Sequence, residues 1–159
     1  MELMQRADYE RRLEELKRRF PYQWEGDHLD LYIEPGWLTL FEEVCSEIDA
    51  LLSQEEKKGF HWRQIKEKFG KLRAYFSGRE TNLPEVTVKK ITSIIDKAEE
   101  KSGEACLFCG APGSFRNTCG WMHTACDEHF QRDRSLLPRF AGEQPRTLEK
   151  ILRDHWHNS

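Results

Sequence analysis

The sequence predicts an α+β fold in which helices pack on a small antiparallel hairpin or sheet, followed by a cysteine-rich module. Three observations lead to this prediction. Apolar residues recur at helical spacing in three segments, a central segment alternates apolar and polar residues on both sides of a glycine, and four of the five cysteines lie between positions 106 and 126. A chain of 159 residues with these patterns in succession suits one core domain with a small appendage.

The chain divides into three predicted parts. We expect an α+β core with an N-terminal helix at 1–103, a knuckle module packed on that core at 104–130, and a C-terminal tail at 131–159. The start of the tail has the composition of extended chain, and its later stretch TLEKILRDHW favours a short helix with Thr147 as its cap.

The N-terminal segment has the pattern of a helix with one narrow apolar stripe. Tyr9, Leu13, Leu16 and Phe20 follow one another at steps of 4, 3 and 4, and Pro21 ends the pattern. The remaining positions are mostly charged. This helix must therefore pack on its own domain or on a second copy of the chain, which leaves a homo-oligomer open.

The next segment contains a short strand-like alternation at Leu29, Leu31 and Ile33. Pro35 and Gly36 break the chain, and the sequence GWLTLFEEVCSEIDALL then predicts a helix with a broad apolar face. Cys45 lies inside that face. We expect a buried structural thiol there, because no neighbouring residue would lower its pKa.

The segment FHWRQIKEKFGKLRAYFSG fits either a helix or a hairpin. A helical stripe would run through Trp62, Ile65, Phe69, Leu72 and Phe76. However, Gly70 in its middle would cost roughly 1 kcal/mol relative to alanine. The alternation on both sides favours two antiparallel strands joined around EKFGK, with Gly70 at a positive φ. A further helix is predicted from Pro84-Glu85 to about residue 101, and the chain after 104 is predicted to be rich in loops.

Two knuckles predict a metal site in this last part. Cys106-x2-Cys109 is followed after sixteen residues by Cys126-x2-His129, a spacing typical of treble-clef-like or ribbon-like zinc sites. Zinc is favoured because three thiolates and one imidazole form a soft, tetrahedral, redox-silent set. A thioredoxin-like redox pair lacks its βαβ setting, and stable disulfides do not suit a reducing compartment. Cys119 and His123 remain alternative ligands.

The predicted zinc is structural rather than catalytic. Four protein ligands close the coordination shell, whereas a catalytic zinc keeps one position for water. The sequence contains neither the H-x-E pattern of deaminases nor an HExxH helix, and a Ser-His-Asp set cannot be assembled. We therefore expect a protein that is not an enzyme, and we expect Asp127 and Glu128 to act as helix caps or to support the ligands.

Charge is distributed unevenly along the chain, although the net charge is only -3. Residues 1–56 carry 15 acidic and 6 basic side chains, and residues 57–159 carry 19 basic and 13 acidic ones. This split predicts an anionic partner for the basic half, head-to-tail docking of the two halves, or two solvated faces. No apolar run approaches the roughly 20 residues that span a bilayer, and the first residues lack the apolar centre of a signal peptide. We expect a cytoplasmic protein.

Several segments together resemble a loose group of uncharacterised bacterial and phage proteins. These segments are GWLTLFEEVCSEID, the KEKFGxLRxY pattern in QIKEKFGKLRAYFSG, and the knuckles CLFCGAPG and GWMHTACDEH. The resemblance covers roughly residues 35–130 and includes the C-x2-C…C-x2-H pair. It implies the four ligands Cys106, Cys109, Cys126 and His129, but no established activity. A phage setting would imply a small protein that antagonises a host defence factor.

The first functional hypothesis is a binding protein for an anionic, nucleotide-like ligand. The predicted hairpin would supply cations for phosphate and rings for a base, through Trp62, Lys66, Lys68, Lys71, Arg73 and Tyr75. The alternative for these residues is that the tryptophan is core and the lysines are simply solvated. Two further hypotheses are a nucleic-acid-binding zinc protein and an inhibitor or adaptor of a host protein.

Overall fold

A computed structural model describes residues 2–78, 82–118 and 120–136 of the chain. The helices are α1 (Glu2–Arg19), α2 (Leu38–Leu51), α3 (Gln54–Lys57), α4 (Glu85–Ser102) and α5 (Asp127–Leu136). The strands are β1 (Asp30–Leu31), β2 (Trp62–Lys68), β3 (Lys71–Phe76), β4 (Ser114–Thr118) and β5 (Trp121–Ala125). Short 3-10 turns at Pro21–Trp24 and Pro35–Trp37 connect the first elements. Cys119 and the helix predicted after Thr147 lie outside the described residues.

The central hairpin predicted from the sequence is confirmed. Strands β2 and β3 pair in antiparallel fashion, and β1 adds to β2 as a short parallel strand, which gives the order β1-β2-β3. The two residues between β2 and β3, Phe69 and Gly70, both have positive φ, 53° and 79°. Two such residues in succession form the type I′ turn whose twist matches a hairpin.

Strand register separates a buried face of the hairpin from an outward face. Ile65 pairs with Ala74, and this pair lies on the core side together with buried Leu72. Lys66 lies opposite Arg73, and Lys68 lies opposite Lys71, so these four residues share the other face. The hairpin therefore presents basic side chains away from the core.

Helix α1 packs on its own chain. Leu16 and Phe20 are buried in the core, and the Tyr9 hydroxyl donates a hydrogen bond to the Ile33 carbonyl at 2.7 Å. Arg12 on the same helix forms an ion pair with Glu42 of α2 at 2.7 Å. The apolar stripe predicted from the sequence is thus confirmed, and its cover is the α2 region rather than a second copy.

The core lies between α2, α4 and the buried face of the sheet. Its centre is aromatic, with the ring of Trp62 at 5.1 Å from the rings of both Phe41 and Phe60. Helix α4 begins after Pro84 and runs along strand β3, as the apolar spacing predicts. At its last residue the Ser102 hydroxyl accepts the backbone N–H of Leu72 at 2.8 Å, which satisfies part of the free edge of β3.

The region after 104 is more regular than the loops predicted for it. Strands β4 and β5 form a second antiparallel hairpin, and α5 begins at Asp127 and continues through residues predicted to be extended. Trp121, His123 and Ala125 are buried, so strand β5 contributes to a packed interior in this segment. In the described part of the chain, no helix combines the length and the apolar character needed to cross a bilayer.

Candidate metal centre

The four predicted ligands come from two places that the second hairpin brings together. Cys106 and Cys109 lie in the turn that precedes β4, Cys126 directly follows β5, and His129 lies in the first turn of α5. Because β4 and β5 are antiparallel, the beginning of the hairpin and its end are neighbours in space. The order along the chain is therefore knuckle, hairpin, second knuckle and helix.

The distances between the ligand atoms fit a tetrahedral metal such as zinc. All four atoms lie within 4.8 Å of one another. Cys109 Sγ lies 3.9 Å from Cys126 Sγ, and His129 Nδ1 lies 3.7 Å from Cys106 Sγ and 3.2 Å from Cys126 Sγ. Tetrahedral zinc with the usual bond lengths would set sulfur–sulfur edges of about 3.8 Å and sulfur–nitrogen edges of about 3.5 Å.

Within the cluster, the surroundings shift the pKa values of Cys106 and Cys126 in opposite directions. Burial raises the pKa of Cys106 to about 12, although backbone N–H groups of Cys126, Cys109 and Phe108 partly oppose the shift. Burial also acts to raise the pKa of Cys126, but there hydrogen bonds outweigh it, first that from the backbone N–H of His129, and the pKa is lowered. Thiolates are the metal-binding form, so a bound cation would supply the charge that the buried thiolate of Cys106 needs.

The imidazole of His129 is oriented by an aromatic neighbour. Its ring stacks on Phe108 with centroids 5.1 Å apart and an angle of 26° between the planes. Nδ1 faces the sulfur atoms in this orientation. Phe108 lies between the two cysteines of the first knuckle. A residue of the first knuckle therefore orients His129, which belongs to the second knuckle.

The first knuckle is anchored to the core at the start of α2. The Gly36 N–H donates to the Leu107 carbonyl at 2.8 Å, and the Gly110 N–H donates to the Cys106 carbonyl at 2.8 Å. A Cβ atom on Gly36 would lie 2.0 Å from the Cys106 oxygen. Only glycine fits here. Pro35 and Gly36 predict only a break before the helix, and the Pro-Gly pair carries no signal for this long-range contact.

Of the alternative ligands, His123 lies outside the cluster. Its ring is fully buried and stacks on Trp121 with centroids 3.8 Å apart. Cys119 lies outside the described residues. Cys45 is fully buried in α2, and burial raises the pKa of its thiol well above the usual range. This agrees with the prediction of a structural thiol at that position.

The prediction that Trp62 stacks on a ligand is wrong. The side chain is completely buried, and its indole N–H donates to the Gln23 side-chain oxygen at 3.1 Å. The cause is a β-bulge. The two steps of β2 from Trp62 to Gln64 lie opposite a single step of β3, from Phe76 to Tyr75, so the face of the strand changes there. Without the bulge, Trp62 would share the outward face of Lys66.

The other predicted ligand-binding residues do share that outward face. We call Lys66, Lys68, Lys71 and Tyr75 the lysine face. Tyr75 is 47% exposed, and the Lys66 ammonium lies 5.9 Å from the centre of its ring. None of the three lysines forms an ion pair with any residue in the described part of the chain. Each therefore keeps its charge available.

Arg73 has a different environment from the lysines. Its guanidinium forms an ion pair with Glu99 of α4. Both line a groove of about 300 Å³ between β3 and α4, to which Asp96 also contributes. The carboxylates of Asp96 and Glu99 would repel an anion in this groove. The phosphate contact predicted for Arg73 would therefore require its ion pair with Glu99 to break.

The two hairpins meet at the turn of the first. The Thr124 hydroxyl of β5 donates to the Gly70 carbonyl at 2.6 Å, and a Cβ atom on Gly70 would lie 3.2 Å from a ring atom of Phe115. Phe115 is 56% exposed. Phe115 is absent from the predicted site residues, because the region is predicted to be rich in loops and SFRNT contains a single apolar residue.

Comparisons with models of protein families, with curated proteins and with solved structures give no match to this chain. Its function is therefore inferred from its own residues and their geometry.

Proposed function

We propose that the protein is a non-enzymatic, zinc-stabilised binding protein that holds an anionic ligand on the lysine face. The observation that carries the metal half of this proposal is the cluster of Cys106, Cys109, Cys126 and His129 within 4.8 Å. Three sulfur ligands and one nitrogen ligand are the donors that structural zinc prefers. Four protein ligands leave no open position for a reacting water, so the ion supports the fold.

A treble-clef arrangement is part of the same proposal. Support comes from the chain order, in which a knuckle and a β-hairpin precede a helix whose first turn supplies the last ligand. With little sheet and one short helix around it, the metal would contribute much of the folding free energy of this module. Loss of the ion would release the second hairpin from the turn at Gly70, and so would disturb the lysine face indirectly.

The binding half of the proposal rests on the charge of the lysine face. Three lysines lie on adjacent positions of two strands, without carboxylate partners among the described residues. Like charges on one face repel one another, and an anion such as a phosphate group relieves that repulsion. The exposed ring of Tyr75 lies beside Lys66, which adds a flat apolar surface to the cationic one. A nucleotide-like ligand offers both phosphate and ring.

Binding of ATP and of inorganic polyphosphate tests this proposal. The triple variant Lys66→Ala, Lys68→Ala, Lys71→Ala should bind both probes at least about tenfold more weakly, since three charge-assisted contacts are lost. A matched triple variant removes the same charge elsewhere, at Lys58, Lys89 and Lys90. The first two of these form ion pairs with Glu55 and Glu85, and the third lies near Glu56.

The control variant should bind like the unmodified protein. Equal losses in both triple variants would mean that only net charge matters, and the lysine face would not be a site. Native mass spectrometry of freshly purified protein adds an independent reading, because it reports the zinc count and any anion that stays bound. Protein without zinc, or unable to bind either probe, contradicts the corresponding half of the proposal.

A further inference from the structure

We propose that the anionic ligand is a single-stranded nucleic acid whose bases stack on Phe69 and Phe115 while its phosphates contact the lysine face. This inference rests on the proposed function and makes it more specific. It depends on two largely exposed rings, on their location at one corner, and on the charges beside them.

Phe69 occupies a backbone position that favours other residues. Its φ of 53° lies in the left-handed region, where a bulky side chain is an outlier and where hairpin turns prefer asparagine or glycine. Burial does not compensate, because Phe69 is 56% exposed. A residue that strains its turn and leaves its ring in water contributes little to folding, so its ring is better explained by a contact with a ligand.

Phe115 places a second exposed ring at the same corner. It belongs to the other hairpin, and one of its ring atoms would lie 3.2 Å from a Cβ on Gly70, the neighbour of Phe69. The exposed aromatic side chains among the described residues are Phe69, Tyr75 and Phe115, and all three belong to these two hairpins. Consecutive bases need successive flat surfaces, and this corner supplies them.

The charges beside these rings complement a phosphate backbone. The Lys68 ammonium lies 5.4 Å from the centre of the Phe69 ring, and Lys66 holds the corresponding position over Tyr75. The lysines thus lie between the ring of Tyr75 at one end of the hairpin and the ring of Phe69 at its turn. This is the composition of a stacking platform for single strands, whereas a surface that inserts into a membrane would gather its rings into one apolar patch. In a duplex the bases stack on each other and leave no face for the rings.

The test compares three fluorescent probes with the zinc-loaded protein. These are a 15-nucleotide oligo(dT), an abasic strand with the same number of phosphates, and a duplex of the same length. The charge of the lysine face alone predicts equal affinity for the first two probes. Stacking on the rings predicts that oligo(dT) binds at least about fivefold more tightly than the abasic strand, from the usual contribution of one stacked base.

The Phe69→Asn variant separates a ligand contact from a structural role. Asparagine suits the turn, so the thermal midpoint should rise by roughly 2–4 °C. At the same time the affinity for oligo(dT) should fall about fivefold toward that for the abasic strand, whose own affinity stays unchanged. Phe115→Thr, which keeps a strand-favouring residue, should weaken oligo(dT) binding in the same way. Val86→Asn, which removes an exposed apolar side chain from α4, should leave it unchanged.

The outcomes distinguish the two proposals. Equal binding of oligo(dT) and the abasic strand overturns the stacking inference and leaves the anionic ligand intact. An unchanged oligo(dT) affinity in both phenylalanine variants also overturns it, as does binding to phosphatidylserine vesicles without binding to oligo(dT). Failure to bind ATP, polyphosphate and both single strands instead means that the proposed function itself is wrong.

Discussion

The indole nitrogen of Trp37 donates a hydrogen bond to the backbone carbonyl of Ala105 at 2.8 Å. Trp37 is fully buried at the start of α2, and Ala105 directly precedes Cys106, the first residue of the candidate metal cluster. The neighbouring Gly36 holds Leu107 by a second hydrogen bond. The core and the knuckle module are therefore joined by hydrogen bonds on both sides of Cys106, one from a side chain and one from the backbone. Changes at the start of α2 should therefore affect the candidate metal cluster.

Gly36→Ala should destabilise the protein and weaken its hold on zinc. The new Cβ would lie 2.0 Å from the Cys106 carbonyl oxygen, so the first knuckle must move away from α2. Overpacking of this kind costs about 1–3 kcal/mol. Chemical denaturation measures the free energy of unfolding, and competition with a chromophoric chelator measures the zinc affinity.

Gly103→Ala is the matched control for this change. Gly103 has a helical φ of -68°, and the nearest atom to its new Cβ would be the flexible Lys71 side chain at 3.2 Å. This control should change stability and zinc affinity little. If Gly36→Ala behaved in the same way, the close contact between the start of α2 and the first knuckle would not exist in solution.

Replacement of a metal ligand should remove both the metal and much of the stability. Cys109→Ser or Cys126→Ser leaves three ligands, and zinc content should fall from about one ion per chain toward none. We expect a loss of about 4 kcal/mol or more, which corresponds to roughly 10 °C in the thermal midpoint. Elemental analysis and calorimetry measure the two quantities.

The Cys45→Ala variant is the control for the loss of a thiol. Cys45 is buried in α2 and lies outside the cluster, so its replacement should lower stability through a small cavity and leave the zinc content unchanged. A chelator should lower the thermal midpoint of the unmodified protein and of this control, and should have little effect on the ligand variants. A ligand variant that keeps a full zinc ion would show that another residue coordinates the metal.

The features predicted well from the sequence are those that short-range signals determine. Gly70 with alternation on both sides predicts a hairpin, since a turn of positive φ and a period of two are local properties. The spacing of the two cysteine knuckles brings the four predicted ligands together for the same reason. Each knuckle is a local turn, and the short segment between the knuckles forms a β-hairpin that brings its two ends together.

The features predicted badly depend on register and on distant contacts. A regular strand would place Trp62 on the same face as Lys66, but a bulge at Arg63 reverses the face. Strand β4 was missed because it is short and largely exposed, and because β4 and β5 are supported by contacts from Gly70 and Leu107 that no local pattern reveals. The narrow apolar stripe of α1 would pack equally well on a second copy of the chain. Only the position of α1 against α2 in the structure distinguishes the two arrangements.

Gln23 should stabilise the core by satisfying two buried groups at once. Its side chain is fully buried, donates to the Cys45 carbonyl at 3.0 Å and accepts from the Trp62 indole at 3.1 Å. Gln23→Met keeps the volume and leaves the indole N–H without this partner, which should cost about 1–3 kcal/mol. Equilibrium unfolding in urea gives the value.

A double-mutant cycle with Trp62→Phe isolates the hydrogen bond. Phenylalanine has no indole N–H to leave unsatisfied, so Gln23→Met should cost less in that background, by about 1 kcal/mol. Strict additivity of the two changes would mean that the hydrogen bond between Trp62 and Gln23 contributes nothing to stability.

Glu56 should make the stability depend on pH in the acid range. Its carboxylate accepts the Thr87 hydroxyl at 2.6 Å and the Ser53 N–H at 2.8 Å, and these bonds, the first above all, lower its pKa below the ordinary 4.5. The folded pKa is therefore below the unfolded one. The stabilisation from Glu56 is complete above about pH 4.5 and disappears as the pH falls through the folded value.

The measurement is the difference in unfolding free energy between the unmodified protein and Glu56→Gln at pH 6.5 and at pH 3. Acid effects on the thiols and imidazole are common to both proteins and cancel in this difference. We expect the unmodified protein to be the more stable at pH 6.5 and the advantage to shrink at pH 3. Thr87→Val, which removes the main donor, should reduce the change with pH. An advantage of the same size at both pH values would show that Glu56 acts through contacts that do not depend on its charge.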